Sequence, residues 1–280
     1  MSDLKISPRP GPPRTVDLGG FRRIALFGGV YSNYLALREA LRLARERRVD
    51  AIFALGDFGA FGPHPDRTLE ILREEGIPAI QGNYEESLSS GASDCHCGYT
   101  DPRDNAFAQI SYEYTRENTA AEHKRWMGTL PGHARLRVGE RRVLLSHGSP
   151  RKINEFLWKS TTPAPFLRKL LEDHETDVVV CTHTGLHWSR FLEPGRGLLN
   201  CGALGRPAND GRPNVWFAIL EGDGRALRHE FVPVPYDHEE LAREMESEKL
   251  PPEFVATIRT GWWTTCLEIL PAKERAAGRH

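Results

Sequence analysis

The sequence is short of three things. It has almost no net charge, since 37 basic and 38 acidic residues leave −1 at neutral pH. Without a basic excess, it offers no general affinity for nucleic acid or anionic membranes. It has no apolar run near the roughly 20 residues that span a bilayer, which argues against a membrane-embedded chain. It has only five cysteines, an odd number with one close pair, Cys95 and Cys97. That usage fits a reduced cytoplasmic protein better than a disulfide scaffold. Residues 1–20 are rich in proline and have no apolar core, so they read as a disordered arm and not as a secretory signal. No internal repeat is present. The 280 residues suffice for one large domain or two small ones.

What the sequence does have is a recurring figure. Ala51-Ile52-Phe53-Ala54-Leu55 stops at Gly56-Asp57, as a buried strand does on entering a turn. Ile77 to Gln81 ends in Gly82-Asn83, Arg142 to Ser146 ends in His147-Gly148, and Asp177 to Thr182 ends in His183. Each strand-like run finishes on a metal-capable or acid–base side chain. Strands lying side by side would bring Asp57, Asn83, His147 and His183 to one rim, where carboxylate, amide and imidazole donors make a cation site. Asp57 would sit at the carboxyl end of its strand, where open α/β sheets place their ligands.

The rest of the chain supports an α/β layered fold. Phe21–Phe27 reads as the first strand, ended by Gly28-Gly29. A helix follows with Leu35, Leu37, Leu41, Leu43 and Ala44 apolar, and Pro65 to Glu75 reads as a second helix. Tyr84 to Ser90 reads as helix, 91–104 as irregular, and Ala106 to Trp126 as helical with an interruption where Thr119 can cap. Residues 135–146 form a hairpin around Gly139-Glu140. Pro163 to His174 is helical, and Phe191–Leu199, Val215–Leu220 and Leu227–Pro233 read as strands. Asp237 to Pro271 is mostly helical, broken at Pro251-Pro252. The expected division is an arm over 1–20, a main domain over 21–236 and a helical extension over 237–280.

Taken in order, Gly56-Asp57, Gly82-Asn83, His147 and His183 resemble the calcineurin-like metallophosphoesterases, and within them the small bacterial phosphodiesterase-like branch. The resemblance runs from about Arg23 to Val234. It includes Ser146-His147-Gly148-Ser149-Pro150 and the segment Asn200-Cys201-Gly202-Ala203-Leu204-Gly205-Arg206-Pro207, which is similar to that branch's N-P-G-S-V-G-x-P. It implies a four-layer sandwich, with two mixed sheets packed together and helices outside. It also implies two divalent metals and hydrolysis of phosphate mono- or diesters by two-metal displacement. Carried over by position, Asp57 resembles the bridging carboxylate, and Asn83, His147 and His183 resemble the other ligands of the second metal.

The first metal's set departs from the family pattern. D-x-H is replaced by Gly29-Val30-Tyr31, the second histidine of G-H-x-H by Gly185, and the histidine of G-N-H by Tyr84. Three readings stay open. The first is a hydrolase with one firmly held manganese, iron or zinc, assisted by Tyr84, with Tyr31, Asn33 and Arg206 as candidate phosphate contacts. The second is a first site rebuilt by Cys95 and Cys97, whose thiolates select zinc or iron; the alternative for that pair is two reduced cysteines in a flexible loop. The third is a weak or inactive homologue that binds a metal, nucleotide or partner. The implied ligand is a phosphate-ester small molecule or nucleotide. The sequence does not say which one, and it is silent on oligomeric state. His64 and His187 read as surface or turn histidines. The arginines of residues 38–48 read as a solvated helix face, and Trp262-Trp263 as packing for a terminal helix.

Overall fold

The computed structural model describes residues 14–278. Most of the expected arm, residues 1–13, lies outside them. Its end does not fit the expectation: Thr15–Phe21 is strand β1. β2 (Arg23–Phe27) leads into α1 (Tyr34–Glu46), whose start is set by Asn33 accepting the Ala36 N–H. β3 (Ala51–Ala54), α2 (Pro65–Glu74) and α3 (Asn83–Ser90) follow. α4 (Pro102–Glu117) is capped by Asp101, and α5 (Ala121–Met127) ends the first half. The second half runs β4 (His133–Val138), β5 (Arg141–Leu145), α6 (Ala164–Asp173), β6 (Val178–Cys181), β7 (His187–Glu193), β8 (Arg196–Cys201), β9 (Val215–Asp223) and β10 (Ala226–Val234). α7 (His238–Ser247), α8 (Pro252–Thr260) and α9 (Ala272–Ala277) close it.

The strands make a six-stranded sheet, β1-β4-β5-β6-β8-β7, and a four-stranded sheet, β10-β9-β2-β3. Both mix parallel and antiparallel pairs. Two-residue alternation explains the layers. On β2, Ile24 and Leu26 face the inter-sheet core, while Ala25 and Phe27 join the cluster under α1, α2, α7 and α8. On β6, Val178 and Val180 face the same inter-sheet core, and Val179 and Cys181 pack on α6 through Leu167, Leu170 and Leu171. Helix, sheet, sheet and helix stack in that order, which is the four-layer sandwich. Leu241, Met245, Phe254 and Ile258 of the last segment are buried in the same cluster as α1.

Three local expectations are corrected. Ile77–Gln81 is not a strand: it makes one parallel bridge, Ala54 to Ala79. Pro78 has no N–H to extend the ladder, and the Gln81 N–H turns away to the Pro131 carbonyl. Phe191–Leu199 is not one strand, because Pro194-Gly195 turns β7 back on β8. Thr119 does not cap α5. Its hydroxyl donates to the Thr115 carbonyl, and Asp66 accepts the Ala120 N–H instead.

Candidate metal centre

Two glycine turns press together beneath the site. A Cβ on Gly56 would lie 2.2 Å from the Gly82 nitrogen, and one on Gly82 would lie 2.5 Å from Asp57 Oδ1. Only glycine allows this approach. Glu85 knits the two turns from below. Its buried carboxylate accepts the N–H of Asp57 at 2.7 Å, of Phe58 at 2.9 Å and of Gly82 at 2.8 Å. Burial, helped by the Asp57 charge, pushes the Glu85 pKa up to about 7. Asp57, itself buried, receives the Tyr84 N–H on Oδ1 at 3.2 Å.

On this base, one ligand atom from each of Asp57, His147 and His183 lies within 4.8 Å of the others. His147 Nδ1 is 2.6 Å from the Leu55 carbonyl, so that nitrogen carries the proton and donates. Its Nε2 therefore faces Asp57 Oδ2, 3.2 Å away, and His183 Nδ1, 3.1 Å away, and offers a lone pair to a metal once deprotonated. A proton shared on Nε2 can join these atoms, and a divalent metal would take that proton's place. Burial lowers the His147 pKa, but the Asp57 carboxylate outweighs it and holds His147 above its ordinary value. For Asp57 the balance runs the other way: burial opposes ionisation, and His147 prevails to keep it below the usual carboxylate range. Burial and the neighbouring His147 push His183 down to about 3, so it stays a neutral donor of electrons.

Asn83 is buried at the start of α3, and its amide nitrogen donates to the Cys95 carbonyl at 2.9 Å. Its Oδ1 is buried without a hydrogen-bond partner, as is His183 Nε2. The cluster of one carboxylate and two imidazoles, with His183 Nε2 buried and unpartnered, fits a divalent transition metal. Above the rim is a cavity of about 70 Å³, lined by Tyr31, Tyr84, Tyr99, Phe156, Trp158, Arg206 and Trp263 among others. It has room for a few waters or one phosphate-sized group.

The family profile described as the calcineurin-like phosphoesterase superfamily domain matches residues 23–224. The chain belongs to the calcineurin-like phosphoesterase superfamily. Membership accounts for the two mixed sheets and implies divalent metal chemistry. An uncharacterized protein of Methanocaldococcus jannaschii is 24% identical over 237 residues, covering 81% of this chain and 93% of its own length. A crystal structure of a metallophosphoesterase from Sphaerobacter thermophilus is 25% identical, with a TM-score of 0.66, covering 86% of this chain and 99% of that one. A hypothetical protein from Pyrococcus horikoshii shares the fold at 18% identity and a TM-score of 0.73, over 88% of this chain and 100% of that one.

Within this superfamily member, the other candidate residues divide. Tyr84 is buried and Tyr31 half-buried against the cavity, and the Tyr84 hydroxyl is 3.0 Å from Ser111 Oγ. Burial raises both phenols, so both stay protonated. Arg206 also lines the cavity. Asn33 does not. Its oxygen caps α1 and its amide lies 3.4 Å from the Gly205 carbonyl, so it serves the backbone, which corrects its reading as a phosphate contact. Cys95 and Cys97 are joined as a disulfide, with their Cα atoms 5.2 Å apart, so neither offers a thiolate in this state. Cys181, Cys201 and Cys266 are free and buried. His187 is half-buried between the rings of Trp216 and Phe231, away from the rim.

Glu85 was missed as a site residue, although it directly follows Gly82-Asn83-Tyr84, the segment aligned with G-N-H. Phe156, whose ring lies 4.4 Å from that of His183, and Trp263 left no such local signal.

Proposed function

We propose that the protein is a metal-dependent phosphoesterase that holds one firmly bound divalent metal on Asp57, Asn83, His147 and His183. The observation that carries this reading is the buried cluster of Asp57, His147 and His183, and the unpartnered buried oxygen of Asn83 supports it as a fourth ligand. A divalent ion bound there would polarise a phosphoryl group and lower the pKa of water. Hydrolysis joins the water oxygen to phosphorus and breaks the P–O ester bond. The leaving oxygen keeps the bonding pair and takes up a proton.

Tyr84 positions the substrate more than it supplies that proton. Its phenol is held protonated well above the operating pH, so it can donate a hydrogen bond but is a poor acid. Turnover should therefore favour esters with acidic leaving groups. The substrate is a phosphate ester, a diester in preference to a monoester, and the setting is cytoplasmic on the low, odd cysteine count, against which the Cys95–Cys97 disulfide stands.

The test is hydrolysis of bis(p-nitrophenyl) phosphate with added manganese. Asp57→Ala should lower the rate at least about a hundredfold. Equal rates in wild type and variant would mean a contaminant and would sink the reading. One observation favours a second reading, a binding module without turnover: the cavity of about 70 Å³ has no room for a whole nucleotide as it stands. Tight phosphate binding with no turnover of any ester would support the module.

A further inference from the structure

The half of the site that lacks metal-ligand residues is not open space. A Cβ on Gly29 would lie 2.5 Å from the Tyr31 ring, so the phenol folds back over the position where the family carries a carboxylate. A Cβ on Gly185, where the family carries a histidine, would lie 3.2 Å from the Trp263 ring. Neither ligand position can be refilled without moving an aromatic ring. A first metal does not fit the residues present.

A different cation stands beside these rings. Arg206 is 7% exposed and follows a turn whose Leu204 and Gly205 N–H groups bond the Gly29 carbonyl at 2.9 Å each, so it emerges next to Tyr31. Its guanidinium lies 3.9 Å from the Trp263 ring centroid and 5.0 Å from that of Phe61. Nη2 donates to the Thr265 carbonyl at 2.8 Å. Nε is buried without a partner, and among the described residues no carboxylate pairs with this arginine. A buried guanidinium without an anion is costly, and an aromatic stack with one carbonyl offsets only part of that cost. Arg206 lines the same cavity as Asp57 and His183.

We propose that Arg206 replaces the first metal ion: Tyr31 and Trp263 close that half-site to metal, and the guanidinium binds the phosphoryl group of the substrate. The claim rests on the metal-centre reading for the opposite half only. Arginine suits the task because its fork matches two phosphate oxygens at once and its charge is permanent.

Two measurements on the full chain test it. Equilibrium dialysis against manganese should give one bound ion per chain, and two ions would overturn the exclusion of the first metal. Calorimetry with inorganic phosphate on manganese-loaded protein should show Arg206→Met binding phosphate about tenfold to a hundredfold more weakly than wild type, with manganese affinity unchanged. Equal phosphate affinity would overturn the proposal. If Arg206→Met does not fold, Arg206→Gln, which can keep the bond to Thr265, is read in its place. Phosphate binding that depends on Arg206 in a protein that takes up no manganese would sink the metal-centre reading and leave the arginine claim standing.

Discussion

Glu85 carries more of the site than its place in the chain suggests. It touches no cavity, yet its carboxylate holds the N–H groups on both sides of the rim. Glu85→Gln keeps the size but replaces one acceptor oxygen with an amide that faces N–H donors. Above about pH 7, where Glu85 is ionised, bonds of this kind are worth about 1.5–3 kcal/mol each. We expect the variant to lose about 2–4 kcal/mol in urea unfolding, and to bind manganese more weakly because Asp57 is no longer held. A variant as stable as wild type would show that the carboxylate is dispensable.

Among the elements, β1 and β7 make separate predictions. β1 pairs in parallel with β4 and covers its outer edge, with Val16, Leu18 and Phe21 packed against the inter-sheet core. Deleting residues 1–21 exposes β4 as a free edge. We expect a loss of about 2–4 kcal/mol, from half-burial of three apolar side chains, and self-association on a sizing column. A truncated chain that stays monomeric and equally stable would contradict the role of β1.

His187 on β7 lies against Trp216 and Phe231, and burial lowers its pKa. The unfolded chain takes up the proton first, near pH 6.5. The contribution of neutral His187 is therefore complete above about pH 6.5 and is lost as pH falls below it. Urea midpoints at about pH 7.5 and about pH 5.5 should differ less in His187→Phe than in wild type. Identical differences would mean that the group does not titrate in the folded state as described.

For the whole molecule, the site joins the two sheets. Asp57 and Asn83 follow the four-stranded sheet side, while His147 and His183 follow β5 and β6 of the six-stranded sheet. An ion held by all four ties both layers, and it binds the folded state alone. Manganese at a hundredfold excess over its dissociation constant should stabilise by about 2.7 kcal/mol. Thermal unfolding with manganese and then with a chelator should show a shift that Asp57→Ala abolishes. A shift that survives in Asp57→Ala would place the ion elsewhere. No helix among the described residues is long and apolar enough to cross a membrane.

The sequence by itself determined the layered α/β fold and the order of Asp57, Asn83, His147 and His183. Those signals are local: apolar runs of strand length, each stopped at a ligand-type residue, three of them with glycine beside it. It also showed which ligand positions are glycine or tyrosine. Only the tertiary structure decided what fills that half of the site. Trp263 reaches Gly185 from 78 positions away, and Arg206 is held by Thr265 from 59 away. Period and turn chemistry report on neighbours in the chain, and neither carries information about contacts over such separations. The same limit hid β1, whose partner begins at His133. It hid the short bridge at Ala79, where Pro78 ended a ladder that the apolar run alone would have continued.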